Sequence, residues 1–228
     1  LVNGRDGKAA DTTYGAKKQT FTADPQVVLP GIAKGMLHQK VGSRVLVGVP
    51  PADGFKDQGN SQLGIQPGDS MLFLMDLKSA HTPLPKADGT PVTPKAGLPT
   101  VTLDAKAHPV ITVPKTAPPK DLVVQPLLAG KHAKVRSDQT ITAQYTGALW
   151  RNGKVFDSTW NGTGKPATFT LSQGSVIAGW IKGLVGQNVG SRVLLVIPPK
   201  DGYPNGSTDG SISKTDTLVF VVDILDAN

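Results

Sequence analysis

The chain contains no cysteine and no glutamate. The first absence removes disulfides, thiolate nucleophiles and sulfur-ligated metals. The second leaves all negative side-chain charge to 17 aspartates. Strong helix formers are few beside 26 glycines and 19 prolines, so strands and loops should dominate. No run approaches the ~18 apolar residues of a membrane span, and an apolar content of 38% is ordinary for a globular fold. A basic stripe interleaved with aromatics is also missing, which argues against specific nucleic-acid binding despite a net charge of +7. The lysines are scattered singly, with only Lys17 and Lys18 adjacent, a surface suited to weak attraction toward anionic polymers. His38, His81, His108 and His132 lie in unrelated segments without metal-ligand spacing and read as solvated loop residues. No GxSxG elbow and no GxxxxGK[ST] phosphate cradle occurs. Covalent catalysis, metal-assisted hydrolysis and nucleotide chemistry are therefore poorly supported, and neither a metal nor a cofactor is expected.

What is present is a repeat. "VGSRVLVGVPPADGF" at 41–55 returns as "VGSRVLLVIPPKDGY" at 189–203, with ten of fifteen positions identical. A chain of 228 residues holds two domains of roughly 100 residues each, so a duplication is the simplest reading. Nine of the nineteen prolines fall between residues 80 and 120. Proline at that density stiffens the chain toward polyproline II, and 80–97 reads as a linker. "LPTVTLDA" and "HPVITVP" alternate at period two and read as two short strands of the following domain.

That domain, 98–228, continues with "LVVQPLLAG", "QTITAQYTGALW", "ATFTLSQG", "SRVLLVIPP" and "TLVFVVDIL", runs rich in Val, Thr, Ile and Leu that predict an antiparallel sheet. "VIAGWIKGLVG" departs from the pattern. Ile177, Trp180, Ile181 and Leu184 recur at helical spacing, with Gly186 as C-cap, which predicts one short helix laid across the sheet.

Together "YTGALWRNGKVFDSTW", "FTLSQGSVIAGWIKGLVGQNVGSR", "IPPKDGY" and "LVFVVDIL" resemble the FKBP-type peptidyl-prolyl cis/trans isomerases, over nearly all of 121–225. The resemblance implies an α+β chain of two FKBP-like domains, each a bent antiparallel β-sheet wrapped around one short α-helix, joined by the Pro-rich linker. It implies prolyl isomerase activity without a cofactor. By the same likeness, Tyr145, Asp157, Ile177 and Tyr203 are the catalytic candidates: the Ile177 N–H and the Tyr203 hydroxyl bind peptide carbonyls, and Asp157 sits at the pocket edge, held by Tyr145. Trp180 forms the pocket floor, Phe156, Phe169, Val176 and Phe220 its walls, and Ile212 closes the rim. The partners implied are proline-containing unfolded or flexible polypeptides and macrolide immunosuppressant inhibitors. Likeness to two-domain bacterial isomerases further implies an extracytoplasmic location, in the cell envelope or secreted, with a lipid anchor through an upstream segment. Three positions depart from the family pattern: Ala167 where a second aromatic is common, Pro204 where glycine is usual, and Thr208 in place of a frequent histidine.

The first copy, 1–79, has drifted. Ile32 stands at the place of Trp180, Ala10 at that of Phe156 and Phe55 at that of Tyr203, while Asp11 matches Asp157. It has no counterpart for 121–148, the stretch bearing Tyr145, and it reads as a partial, degenerate domain whose natural chain continues upstream. Taken singly, Trp180, Phe156, Phe169 and Phe220 are ordinary core residues and Asp157 an ordinary turn residue. Their joint occurrence favours a site. The alternative reading is a non-catalytic peptide-binding chaperone or an envelope adhesion module.

Overall fold

The computed structural model describes residues 1–15, 19–161 and 164–228. The Lys17–Lys18 pair lies outside them. The chain divides into two units, Leu1–Ala80 and His81–Asn228. In the first, β1 (Val2–Asn3), α1 (Pro30–Met36), β2 (Arg44–Val49) and β3 (Met71–Asp76) form one helix and a three-stranded antiparallel sheet ordered β1-β3-β2. In the second, the strands are β4 (Thr90–Pro91), β5 (Thr100–Leu103), β6 (Pro109–Thr112), β7 (Val123–Ala129), β8 (Thr140–Leu149), β9 (Val155–Ser158), β10 (Ala167–Thr170), β11 (Arg192–Ile197) and β12 (Leu218–Ala227), with the helix α2 (Ala178–Leu184) between β10 and β11. Seven of these build an antiparallel sheet ordered β10-β8-β12-β11-β7-β4, with β9 on β8, and β5 pairs with β6 as a separate hairpin.

The central strands β11 and β12 read as unbroken apolar runs because both faces of the sheet are covered. On the helix side, Val193, Leu195, Ile197, Phe220 and Val222 join a core with Trp180 and Leu184. On the other side, Leu194, Val196, Val219 and Val221 pack with Trp150 and with Ile111 of β6. The predicted pair of short strands thus forms the lid of a second apolar layer.

The helix lies close to the sheet because two glycines make room. A Cβ on Gly179 would stand 2.5 Å from Ile197 Cγ2, and one on Gly183 would stand 2.6 Å from Leu195 Cδ2. The first unit repeats the device: a Cβ on Gly31 would meet Val49 Cγ1 at 2.6 Å, and one on Gly35 would meet Val47 Cγ1 at 2.5 Å. Residues four apart share a helix face, so each glycine pair presents bare backbone to one strand. The helix stops where predicted: Val185 is extended and Gly186 has φ of +91°, a left-handed conformation that glycine adopts without steric cost.

The segment expected as a linker, 80–97, is instead bonded to the second unit. The Leu84 amide donates to the Leu225 carbonyl at 2.9 Å, and the Asp88 and Gly89 amides donate to the Gly190 carbonyl at 3.1 and 3.0 Å. β4 then pairs with the outer side of β7 through Thr90↔Ala129 and Pro91↔Leu128. Proline fits there because an edge strand has outward positions where no amide is needed.

Three ion pairs occur in both units at matching positions. Arg5–Asp69 (3.1 Å) matches Arg151–Asp216 (2.7 Å), Lys34–Asp53 (2.8 Å) matches Lys182–Asp201 (2.5 Å), and Arg44–Asp76 (2.7 Å) matches Arg192–Asp223 (2.6 Å). The last is the most enclosed, with side-chain exposures of 12% and 3% and two N–H groups of Arg192 on the two oxygens of Asp223. Removing one partner strands a buried charge, so Arg192→Met should cost about 3–5 kcal/mol. Urea unfolding followed by tryptophan emission reads the second unit alone, since Trp150, Trp160 and Trp180 all belong to it. An unchanged midpoint would show that the pair contributes nothing.

Candidate functional site

β8, β9, β10, α2 and β12 each deliver an aromatic residue to one place. Tyr145 leaves β8, Phe156 β9, Phe169 β10, Trp180 the first turn of α2 and Phe220 β12. The Trp180 ring centroid lies 4.9 Å from Phe169, 5.2 Å from Tyr145 and 5.5 Å from Phe220, at interplanar angles of 64°, 86° and 88°. Phe156 meets Phe220 at 5.5 Å and 88°. These are edge-to-face contacts, the arrangement that ring quadrupoles favour. Trp180 is the hub and is 4% exposed; its buried indole N–H has no hydrogen-bond partner among the described residues. Every one of these ring contacts lies in the second unit.

The sequence reading did not single out Gly147 on β8. A Cβ there would come within 2.7 Å of Phe156 Cζ and 2.8 Å of Phe220 Cε1, so the meeting of those rings needs a glycine beneath them. The signal was present as the glycine of "YTG".

The Tyr145 hydroxyl donates to Asp157 Oδ2. The Tyr145 backbone is held as well: its amide donates to Thr159 Oγ1 at 2.9 Å, and its carbonyl accepts from the Thr159 amide at 3.0 Å. Burial, followed by the hydrogen bond to Asp157, pushes the Tyr145 phenol well above its ordinary value of 10. The protonated phenol is thus the form favoured by folding.

Beside the ring cluster, a cavity of about 430 Å³ opens between 174–177 and 202–206, lined by Val176, Ile177 and Tyr203. Ile177 precedes the first helical residue with φ of −63° and ψ of 149°, so its amide lies outside the ladder of α2. Tyr203 is 36% exposed at the mouth. Ile212, expected at the rim, is 4% exposed and packs in the core cluster that includes Trp180. Two bonds close its loop: the Ser207 amide donates to the Ile212 carbonyl at 2.8 Å, and the Ile212 amide donates to Ser207 Oγ at 2.9 Å. Ile212 thus shares a cluster with Tyr145, Phe156, Phe169, Trp180 and Phe220, while Val176, Ile177 and Tyr203 line the cavity.

In the first unit, Phe55 packs against a core of Val47, Val49, Ile65 and Met71, beside Leu1, Ala10 and Phe73. Phe73 occupies the register position of Phe220, since it faces Val47 as Phe220 faces Leu195. Asp11 is exposed and accepts from its neighbour, the Thr12 amide, at 2.7 Å.

The family model for FKBP-type peptidyl-prolyl cis-trans isomerase matches residues 2–78 and 131–225. The chain belongs to this family. Among curated relatives, it is 36% identical over 118 residues to an FK506-binding protein of Streptomyces anulatus, covering 51% of this chain and 94% of that protein. It is 37% identical over 120 residues to a probable FK506-binding protein of Corynebacterium glutamicum, covering 52% and 98%. About half of this chain therefore spans nearly a whole relative. All five clustered aromatics of this FKBP-type chain, with Asp157, Ile177 and Tyr203, fall in the second matched segment; the hairpin β5–β6 falls outside both.

Two outcomes follow. Gly147→Ala should destabilise the second unit by about 1–3 kcal/mol through overpacking, and an unaltered urea midpoint would show that the rings move aside freely. Because the Tyr145 phenol titrates higher in the folded than in the unfolded chain, its contribution to stability should be fully present below about pH 10 and be lost as pH rises above it, giving an alkaline limb. Replacement by Phe should flatten that alkaline limb.

Proposed function

We propose that the second unit is an active peptidyl-prolyl cis/trans isomerase that accelerates Xaa-Pro rotation in flexible polypeptides, and that the first unit is a degenerate module that binds peptide or acts as a spacer. The observation that carries this reading is the ring cluster around Trp180, set beside an open cavity rimmed by Ile177 and Tyr203.

The chemistry requires no nucleophile and no metal. Rotation about an Xaa-Pro bond is slow because twisting the amide sacrifices resonance, against a barrier of ~18–20 kcal/mol. The twisted amide carries less charge on its oxygen than the planar one, so a dry apolar wall disfavours it less. Binding the twisted form better than the planar forms lowers the barrier, and a thousandfold acceleration takes only about 4 kcal/mol. In this reading Trp180 supports the proline ring, Tyr145, Phe156, Phe169, Val176 and Phe220 wall it, and the Ile177 amide and Tyr203 hydroxyl hold carbonyls of the bound chain. In the same reading Asp157, held by the Tyr145 hydroxyl, sits at the pocket edge.

The first unit lacks this equipment: Ile32, Ala10 and Phe55 replace Trp180, Phe156 and Tyr203. Macrolide inhibitors of the family are ligands for the same pocket of the second unit, with a wall weakened by Ala167. An extracytoplasmic, envelope-associated location fits the basic surface, and detection in wall or supernatant fractions tests it. The second reading, a non-catalytic chaperone or adhesion module that only grips chains, draws on the loss of the Trp180, Phe156 and Tyr203 counterparts from the first unit.

The test is cis/trans exchange of a short Xaa-Pro peptide, measured by NMR with the full chain. The wild type should accelerate exchange. Tyr203→Phe should slow it about fivefold, the worth of one hydrogen bond of ~1 kcal/mol. Trp180→Ile, which copies the first unit, should slow it more than tenfold, about 1.4 kcal/mol. Full activity in Trp180→Ile would move catalysis to the first unit, and no acceleration by folded wild type would leave the binding module.

A further inference from the structure

The hairpin β5–β6 lies outside the residues matched by the family model, yet its turn reaches the loop beside Tyr145. At its base the hairpin is anchored by Ile111 against Leu194, Val196, Val219 and Val221. The segment after it is tied down by the Trp150 indole, which donates to the Thr116 carbonyl at 2.9 Å. At its tip, Asp104 Oδ1 accepts the amides of Lys106 and His108 at 2.8 and 2.9 Å, and the Asp104 amide donates to the His108 carbonyl at 3.0 Å. Ala107 completes the turn at φ of +61°.

This turn sets the His108 ring 6.1 Å from the Trp160 ring, centroid to centroid, at a tilt of 35°. Trp160 directly follows Thr159, which brackets the Tyr145 backbone with one bond on each side. Its own amide donates to Ser158 Oγ at 3.3 Å. A continuous set of contacts therefore runs from the hairpin tip through Trp160 and Thr159 to the residue whose hydroxyl fixes Asp157.

We propose that His108 is a positioning residue for the isomerase site, holding Trp160 and through it the 158–160 turn that orients Tyr145 and Asp157. The inference rests on the isomerase reading above. It also explains what the added hairpin does besides covering the outer face of the sheet.

The experiment uses the full chain as wild type, His108→Ala, Trp160→Ala, Trp160→Phe and the double alanine variant. Exchange of the Xaa-Pro peptide is followed over a range of peptide concentrations, together with backbone amide NMR spectra. Each alanine variant should lower kcat about threefold to tenfold with KM nearly unchanged, as expected when a catalytic group is misplaced without losing binding surface. The double variant should be no worse than either single one, because residues in one contact chain couple. Trp160→Phe should keep most of the activity, and His108→Ala should shift the amide signals of Thr159 and Tyr145 in a chain whose urea midpoint is retained. Unchanged kcat in His108→Ala, additive loss in the double variant, or undisturbed Thr159 and Tyr145 amides would overturn the proposal. An inactive wild type would remove the isomerase reading instead, and the amide shifts would still decide whether His108 reaches Tyr145.

Discussion

Everything in the second unit depends on how near α2 can come to β11. Gly179 and Gly183 leave the helix no side chain on that side, so Ile197 and Leu195 press against its backbone. The approach sets the depth at which Trp180 sits, and with it the distances to Tyr145, Phe169 and Phe220. A helix of only seven residues has little stability of its own in water. It persists here because its packed face is supplied by the strand, and the strand in turn is fixed by neighbours on both edges.

Comparing the two units separates a shared scaffold from the ring cluster of the second. The glycine pairs and the three ion pairs occupy matching places in both, so the same close approach and the same charge ties hold each helix and hairpin. The rings differ. Where the second unit has Trp180 and Phe156, the first has Ile32 and Ala10, and its core closes around aliphatic side chains and single rings. Electrostatic ties and backbone contacts tolerate divergence poorly because each depends on a fixed partner. Apolar pocket walls can be refilled by other apolar residues of adequate volume.

Much of this was legible in the sequence. The helix was, because Ile177, Trp180, Ile181 and Leu184 give a helical period ended by a glycine. Most strands of the second unit were, since β-branched runs between glycines have few other homes, while the short β9 was not among those runs. The 80–97 segment misled, because proline on an edge strand and proline in a free linker leave the same local trace; only the register of β4 on β7 separates them. Gly147 went unnoticed because a glycine required by ring packing looks like any turn glycine. The loop holding Ile212 is closed by two bonds exchanged with Ser207, which no pattern of hydrophobicity encodes.

The strap 84–92 changes where the second unit starts. Its β4 residues are the outermost strand of the sheet, and β7 behind them offers the backbone groups of Leu127, Leu128 and Ala129 as the row they pair with. A fragment cut at residue 98 would bare that row, and an unpaired apolar edge recruits other strands. The same stretch that connects the two units is therefore also the closing edge of the second unit's sheet, and a boundary drawn at residue 98 would cut through that sheet rather than beside it.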